Sequence, residues 1–185
     1  RAAPLAVFRA QAVVVTPVQR LRAADAPAWG ATDGRGPLAA LDSAIATVAR
    51  ARGVTGWSFA ADVERQARRN PTMAPDPHAL AIDELMASRA PEQLTGPLGS
   101  QLRAIVALGG QRFTLVPLEL RWLRHADGRG AAVLRVALVD ARMSRPMWTG
   151  EVHSAPADTY SRALLDGVAA HLVDLIAPPD GAPGA

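Results

Sequence analysis

The chain has four histidines, and their imidazole rings could bind a metal or transfer protons near neutral pH. Zinc sites place histidines only a few residues apart, as in His-x-x-x-His, and no pair in this chain has such a spacing. The absence of Cys also removes thiolate ligands, disulfides and iron–sulfur clusters. The sequence therefore predicts no metal centre. The histidines are His78, His125, His153 and His171.

Nucleophile and phosphate-binding motifs are missing from the sequence as well. Ser100 follows Gly99 but lacks the flanking glycines of Gly-x-Ser-x-Gly. The 20 basic residues are all Arg, which excludes a P-loop because that motif needs Lys. The glycines of Gly128-Arg129-Gly130 are typical of a hairpin turn. We therefore predict no catalytic residues, no cofactor and no small-molecule substrate.

One acid–imidazole pair keeps an enzymatic alternative open. Glu151 and His153 are two residues apart, so on a strand their side chains lie on the same face. Together with Glu119 they could form a dispersed acid–base site, provided that all three converge in one concave pocket. A solvated strand face explains the same pattern without any chemistry.

The elements that would position these residues lie in the second half of the chain. Apolar and polar residues alternate there in three segments separated by turns, which predicts an antiparallel meander. A broad apolar stripe between Asp158 and Ile176 predicts a final helix, ended by Pro178-Pro179. The predicted strands are Phe113–Leu123, Ala132–Asp140 and Met147–His153.

The first half is less regular. The run Gln11–Val18 predicts a buried strand, and Val54–Phe59 predicts a short one. Helical spacing predicts helices over 38–52 and Ala60–Arg69, and start signals predict helices opening at Asp76-Pro77 and Gly96-Pro97. We expect residues 1–10 to be a tether, 11–177 one domain with a long loop at 19–37 and a helical segment at 60–95, and 178–185 a flexible tail.

This order of elements predicts an α+β fold, an α/β two-layer arrangement. One mixed sheet would carry the C-terminal antiparallel three-strand meander, with helices packed on it. We expect the late strands and the last helix to close over each other and to leave no reactive cleft.

Composition limits the class of partner. Hydrophobic residues make up 49% of the 185 residues, which supports a core and excludes general disorder. The pI of about 10.8 reflects the lack of Lys and Cys, since the net charge is only +3. Six arginines of the predicted meander nevertheless face only two aspartates, which leaves binding to nucleic acid or to an anionic lipid surface as alternatives. These arginines are Arg121, Arg124, Arg129, Arg135, Arg142 and Arg145.

The segment Leu134–Val152 carries a family resemblance. A strand ends in Val139-Asp140, a turn follows, and Trp148 opens the next strand. With the opening strand that ends in Val-Thr-Pro-Val and the final helix, this resembles the amino-terminal domain of TolB and CsgG-like envelope lipoprotein domains. The resemblance implies a small α+β domain, generally without catalysis, that makes contacts in the cell envelope.

Our hypothesis is therefore a non-catalytic, periplasmic interaction module, tethered to a membrane through an upstream segment and acting as an accessory subunit of a larger complex. Nucleic acid is the less favoured partner. Either the edge beside Gln11–Val18 or the strand Met147–His153 could accept a partner strand. Trp29 in the long loop would anchor either on this domain or on a partner. The candidate partner-binding residues are Trp29, Arg121, Arg124, Arg129, Arg142 and Arg145.

Overall fold

A computed structural model describes residues 3–29 and 35–179 of the chain. Within these ranges the protein has one mixed sheet of six strands and five α-helices packed against it, which confirms the predicted α+β fold. The strands are β1 (Val13–Val15), β2 (Arg20–Leu21), β3 (Trp57–Ser58), β4 (Phe113–Arg124), β5 (Gly130–Asp140) and β6 (Arg145–His153). The helices are α1 (Arg35–Ala51), α2 (Ala60–Arg69), α3 (Asp83–Met86), α4 (Pro97–Gly109) and α5 (Arg162–Asp174).

The predicted meander is confirmed. β4, β5 and β6 form consecutive antiparallel pairs, and β6 lies at one edge of the sheet. On the other side of β4 the pairing is parallel, with β1 and β2 following one another along the same edge of that strand. β3 pairs with β1 and forms the far edge.

One face of the sheet is covered by α1 and α5. The even-numbered residues of β5 from Ala132 to Leu138 point into this layer, together with Val13 and Val15 of β1. Leu41 of α1 and Leu172 of α5 are completely buried against them. The late strands and the last helix thus close over each other as expected.

The opposite face is covered only in part, by α2, α3 and α4. Val14, Val116 and Val139 point from the sheet into this second apolar layer, which includes Leu85 and Leu102 of the helices. Pro at the first position of α4 and the left-handed Gly110 after its end bear out the predicted start and stop of that helix. Helices therefore flank the sheet on both faces.

Several predicted boundaries in the first half are wrong. The segment 19–37 contains β2, a 3₁₀ helix over Ala23–Trp29 and the start of α1, while residues 30–34 lie outside the described ranges. No helix opens at Asp76-Pro77, because the Asp76 carboxylate accepts the N–H of His78 at 2.9 Å and forms a turn.

The ends of the chain also differ from expectation. Residues 3–10 do not lie free: Leu5 is 1% exposed, and its N–H donates to the carbonyl of Leu175 at 3.0 Å. α5 begins after Ser161, a few residues later than the predicted Asp158 or Thr159 cap. Of the predicted tail, residues 180–185 lie outside the described part of the chain.

Candidate functional site

A cavity of about 710 Å³ opens between α1, α2 and the segment Val18–Leu21. We call it the α1–α2 cavity. α1 contributes residues spaced three or four apart, so they form one stripe along the helix. Small side chains leave the space open, notably Ala39 and Ala46 on α1 and Ala60 and Ala61 at the start of α2. The stripe on α1 includes Leu38, Asp42, Ala46 and Arg50.

Asp42 is the group lining this cavity whose pKa is shifted most. Its Oδ1 accepts a hydrogen bond from the Val18 N–H at 2.8 Å, which ties α1 to the segment after β1. Burial raises the pKa of Asp42 to about 7; the Val18 hydrogen bond opposes this shift, and the negative charge of Glu64 adds to it. Asp42 therefore changes charge near neutral pH.

A second acid and an imidazole face the same cavity. Glu64 of α2 lies with its Oε1 3.3 Å from the Nε2 of His78. The loop that carries His78 is held in place by Gln19, whose Nε2 donates to the carbonyl of Pro77 at 2.8 Å and whose Oε1 accepts the N–H of Leu80 at 3.0 Å. The geometry thus brings two carboxyl groups and one imidazole together from three separate segments.

This cavity corrects the expectation that the fold leaves no cleft with reactive groups. The late strands and α5 do close over each other, but the cavity lies on the other side of α1. The sequence separates Asp42, Glu64 and His78 by 14 residues or more, so no short motif reveals them. One signal was available, because Asp42 interrupts the apolar stripe of α1 between Leu38 and Ile45.

The residues of the enzymatic alternative lie elsewhere, on an open part of the sheet. Glu119, Arg135 and Glu151 are paired in register across β4, β5 and β6. The Glu119 carboxylate lies 2.8 Å from the Arg20 guanidinium, and that of Glu151 lies 2.7 Å from Arg121. These pairs form a ladder of alternating charge rather than a pocket.

His153 extends this ladder, with its Nε2 3.9 Å from Glu151. None of Glu119, Glu151 and His153 lines either of the two cavities described in the structure. The condition for that site, convergence in one concave pocket, is therefore not met by these cavities.

The predicted partner-binding arginines do not form one patch. Arg124 and Arg129 lie at the turn between β4 and β5, where Arg129 pairs with Asp127 at 2.8 Å. Arg142 and Arg145 lie at the opposite end of the same strands, roughly 30 Å away by strand length. Arg121 lies between the two ends, paired with Glu151 as described above.

Trp29 ends the 3₁₀ helix after β2, and its side chain lies outside the described part of the structure. The prediction for it therefore stays a prediction. Trp148 is half-buried and packs on the α1–α5 core, as expected for the residue after the turn.

The turn between β5 and β6 is organised by Asp140. Its carboxylate accepts the Met143 N–H at 3.2 Å and lies 2.6 Å from the Arg112 guanidinium. Burial acts to raise the pKa of Asp140, but the hydrogen bonds from Arg112 and from Met143 outweigh it and hold that pKa below its ordinary value. The predicted turn-stabilising role of this Asp is confirmed.

The outer edge of β6 is a second candidate for function. Among the described residues, β5 is the strand that pairs with β6, and no other backbone pairing reaches β6. At its C-terminal end, His171 of α5 contacts the carbonyl oxygen of His153 through Nδ1. The edge beside β1, by contrast, is occupied by β3.

Residues 3–29 and 35–179 contain no group of three or more His, Cys, Asp or Glu side chains that could hold a metal ion. Over the same ranges, no helix combines the length and the apolar character needed to cross a bilayer.

Comparison with known proteins gives neither a family nor a curated relative, since no family model and no curated protein matches the chain. Solved structures with a similar arrangement include the PelC dodecamer from Paraburkholderia phytofirmans, with 12% identity over 91% of this chain and 89% of that one and a TM-score of 0.47. The lipoprotein GNA1162 from Neisseria meningitidis has 17% identity over 76% and 77% and a TM-score of 0.38. The LpoB C-terminal domain from Salmonella enterica has 14% identity over 82% and 93% and a TM-score of 0.40. The specific relation to TolB and CsgG-like domains is not confirmed by these comparisons.

Proposed function

We propose that this chain is a non-catalytic interaction module of the bacterial cell envelope that binds an extended segment of a partner protein along the outer edge of β6. The observation that supports this most directly is the edge itself. β6 spans Arg145–His153, and a strand of this length with an open edge is a template for strand addition.

The backbone groups that would pair with a partner strand can be named. The Ser154 N–H donates to the Ala132 carbonyl at 2.9 Å, so Ser154 points its N–H toward β5. Because these groups alternate along an antiparallel strand, the N–H groups of Thr149 and Glu151 point to the open edge. They offer backbone hydrogen bonds without any change in the fold.

The side chains beside this edge indicate the chemistry of the partner. Met143 and Met147 are 61% and 51% exposed, which is unusual for large apolar residues. Arg142 and Arg145 are exposed close by in sequence. The partner segment that fits is extended, with apolar residues for the methionines and an acidic residue near the arginines.

The setting in the envelope is part of the same proposal. It is supported by the resemblance of Leu134–Val152 to TolB and CsgG-like domains, which make contacts in the cell envelope. The proposed chain is therefore periplasmic, bound to a membrane through a segment upstream and accessory to a larger complex, and anionic lipid would be a secondary contact for its arginines.

Site-specific cross-linking in the bacterium that encodes the chain tests this proposal. We expect a photo-activated side chain at position 147 to give a discrete protein adduct in the envelope fraction. The change Thr149→Pro removes an edge N–H and should abolish the adduct, while Thr149→Ala keeps that N–H and should retain it.

The same cross-linker at Ala163, an exposed position on α5, is the control for non-specific capture. Cooperative thermal unfolding of each variant is the test that it is folded. The proposal is wrong if the adduct survives Thr149→Pro, if Ala163 gives the same adduct, or if the folded protein with the cross-linker at position 147 and Thr149 unchanged gives none.

A further inference from the structure

The α1–α2 cavity has the size and shape of a ligand site, and the strand-edge function does not use it. Its volume of about 710 Å³ lies in the range of small-molecule pockets, roughly 300–1,000 Å³. It is present without any rearrangement of the fold, because it results from small residues on the facing surfaces of α1 and α2. Preformed space of this kind lowers the cost of binding.

The cavity holds a carboxyl group without a cationic partner. Within the described residues Asp42 forms no salt bridge, and the one hydrogen bond that it accepts is from the Val18 N–H. Burial and the neighbouring Glu64 both disfavour its negative charge, so that its pKa lies near 7. A cation placed beside Asp42 would favour its charged form and so offset both effects.

The cationic side chains around the cavity already interact with other groups of the protein. Arg20, which lines the cavity, is bonded to Glu119 at 2.8 Å. Arg50 lies over the Phe59 ring, 5.3 Å from its centre, and 3.8 Å from Asp62.

The two remaining cationic side chains are engaged as well. Arg35 already has a polar or electrostatic partner. His78 lies 3.3 Å from Glu64 and partly neutralises it when protonated. No cation of the described chain therefore pairs with Asp42.

The uncharged part of the wall is mixed, with Gln19, Ser43 and Thr47 beside apolar side chains. Leu21 and Leu38 face the space from β2 and α1, and Phe59 closes it at the start of α2. A ligand that fits this lining has one cationic group and a short hydrocarbon stem. A cationic group can pair with Asp42, which an anionic head group cannot do.

We propose that the α1–α2 cavity binds a small primary alkylammonium ion, with the ammonium group donating to Asp42 and Glu64 and the stem packed against Leu21 and Leu38. This goes beyond the strand-edge function and is independent of it. The class of ligand is a small organic amine, free or at the end of a flexible chain.

Calorimetric titration of the full chain with pentylamine tests the proposal. We expect saturable binding at pH about 7.5, weakened at least about tenfold by Asp42→Asn. Pentanol and pentanoate, which have the same stem, should bind at least about tenfold more weakly than the amine. Asp158→Asn makes the same chemical change at an exposed aspartate outside the cavity and should leave binding unchanged.

Proton release gives a second readout that a merely structural Asp42 would not produce. At pH about 6.5 much of Asp42 is protonated, so binding of the amine must expel a proton, and the heat will depend on the buffer. Asp42→Asn should remove this dependence. Glu64, His78 and the three arginines are the other titratable or charged groups facing the cavity, and they are unchanged in that variant.

A blocking variant separates loss of the cavity from loss of the charge. Ser43→Leu fills the mouth while keeping Asp42, and we expect it to abolish binding in a protein that still unfolds cooperatively. The proposal is wrong if pentylamine does not saturate the wild-type chain, if pentanoate binds better, or if Asp42→Asn binds as well as wild type.

Discussion

The first and second halves of the chain build the same sheet in different ways. β4, β5 and β6 are 9 to 12 residues long and are joined by short turns, so their pairing is local in sequence. β1, β2 and β3 have two or three residues each and pair in parallel with strands far along the chain. The second half supplies a continuous apolar wall, whereas the first half leaves gaps, one of which is the α1–α2 cavity.

Each half also contains one aspartate with a shifted pKa, and the shifts are opposite. Asp140 in the second half is held ionised by Arg112 and by a turn N–H. Asp42 in the first half is half-buried, and desolvation together with the charge of Glu64 raises its pKa to about 7, with no cationic partner among the described residues. A charge that the fold satisfies contributes to stability, and a charge that the fold leaves unsatisfied is available for a ligand.

The largest loss of stability is expected when a core side chain of the second half is truncated. Leu134→Ala removes a side chain that is completely buried between β4, β6 and α5, and we expect a loss of about 2–5 kcal/mol in the free energy of unfolding. The matched change Leu21→Ala, on the half-buried β2, should cost about 1 kcal/mol or less. Urea unfolding of both variants measures the difference, and equal losses would show that the two halves do not differ in this way.

The next largest effect is the pH dependence of folding stability that Asp42 causes. In the unfolded chain this group ionises near its ordinary value of 3.8, but in the folded protein it ionises at about 7. Between these values the folded state holds a proton that the unfolded state has lost, so stability falls as pH rises through this window.

Asp42→Asn should remove that dependence. The variant should match wild type below pH about 4 and exceed it above pH about 7, by on the order of 4 kcal/mol. Chemical unfolding across the pH range measures this, with Asp158→Asn as the exposed control. A variant less stable than wild type at alkaline pH would contradict the raised pKa.

The sequence predicted the second half well because its signals are local. Alternation from Val116 to Trp122 and the turn signals at 125–130 determine the pairing of neighbouring strands. The Asp140 turn and the half-buried Trp148 followed from the same reasoning. α5 could be predicted from its apolar stripe alone, because a helix with a broad apolar stripe that follows a meander packs that stripe on one face of the sheet.

The first half was harder to predict because its structure depends on distant contacts. A strand of two residues, such as β2 or β3, exists only through its partner and has no pattern of its own. Gln19 holds the His78 loop through bonds to Pro77 and Leu80, a contact across about sixty positions that no local signal reveals. The cavity was missed for the same reason, since its groups come from three such segments.

The smallest change in stability is expected at Asp140, the carboxylate whose pKa is lowered rather than raised. Asp140→Asn weakens the bonds to Arg112 and to the Met143 N–H, and we expect it to destabilise the protein by about 1–2 kcal/mol at neutral pH. Because the folded pKa lies below the unfolded one, this contribution is present above pH about 4 and is lost as pH falls through the folded pKa. Unfolding curves should therefore converge with wild type in acid, where those of Asp42→Asn also meet it, and diverge in opposite directions toward neutral pH. If both variants shifted stability in the same direction, the distinction between a satisfied and an unsatisfied carboxylate would not hold.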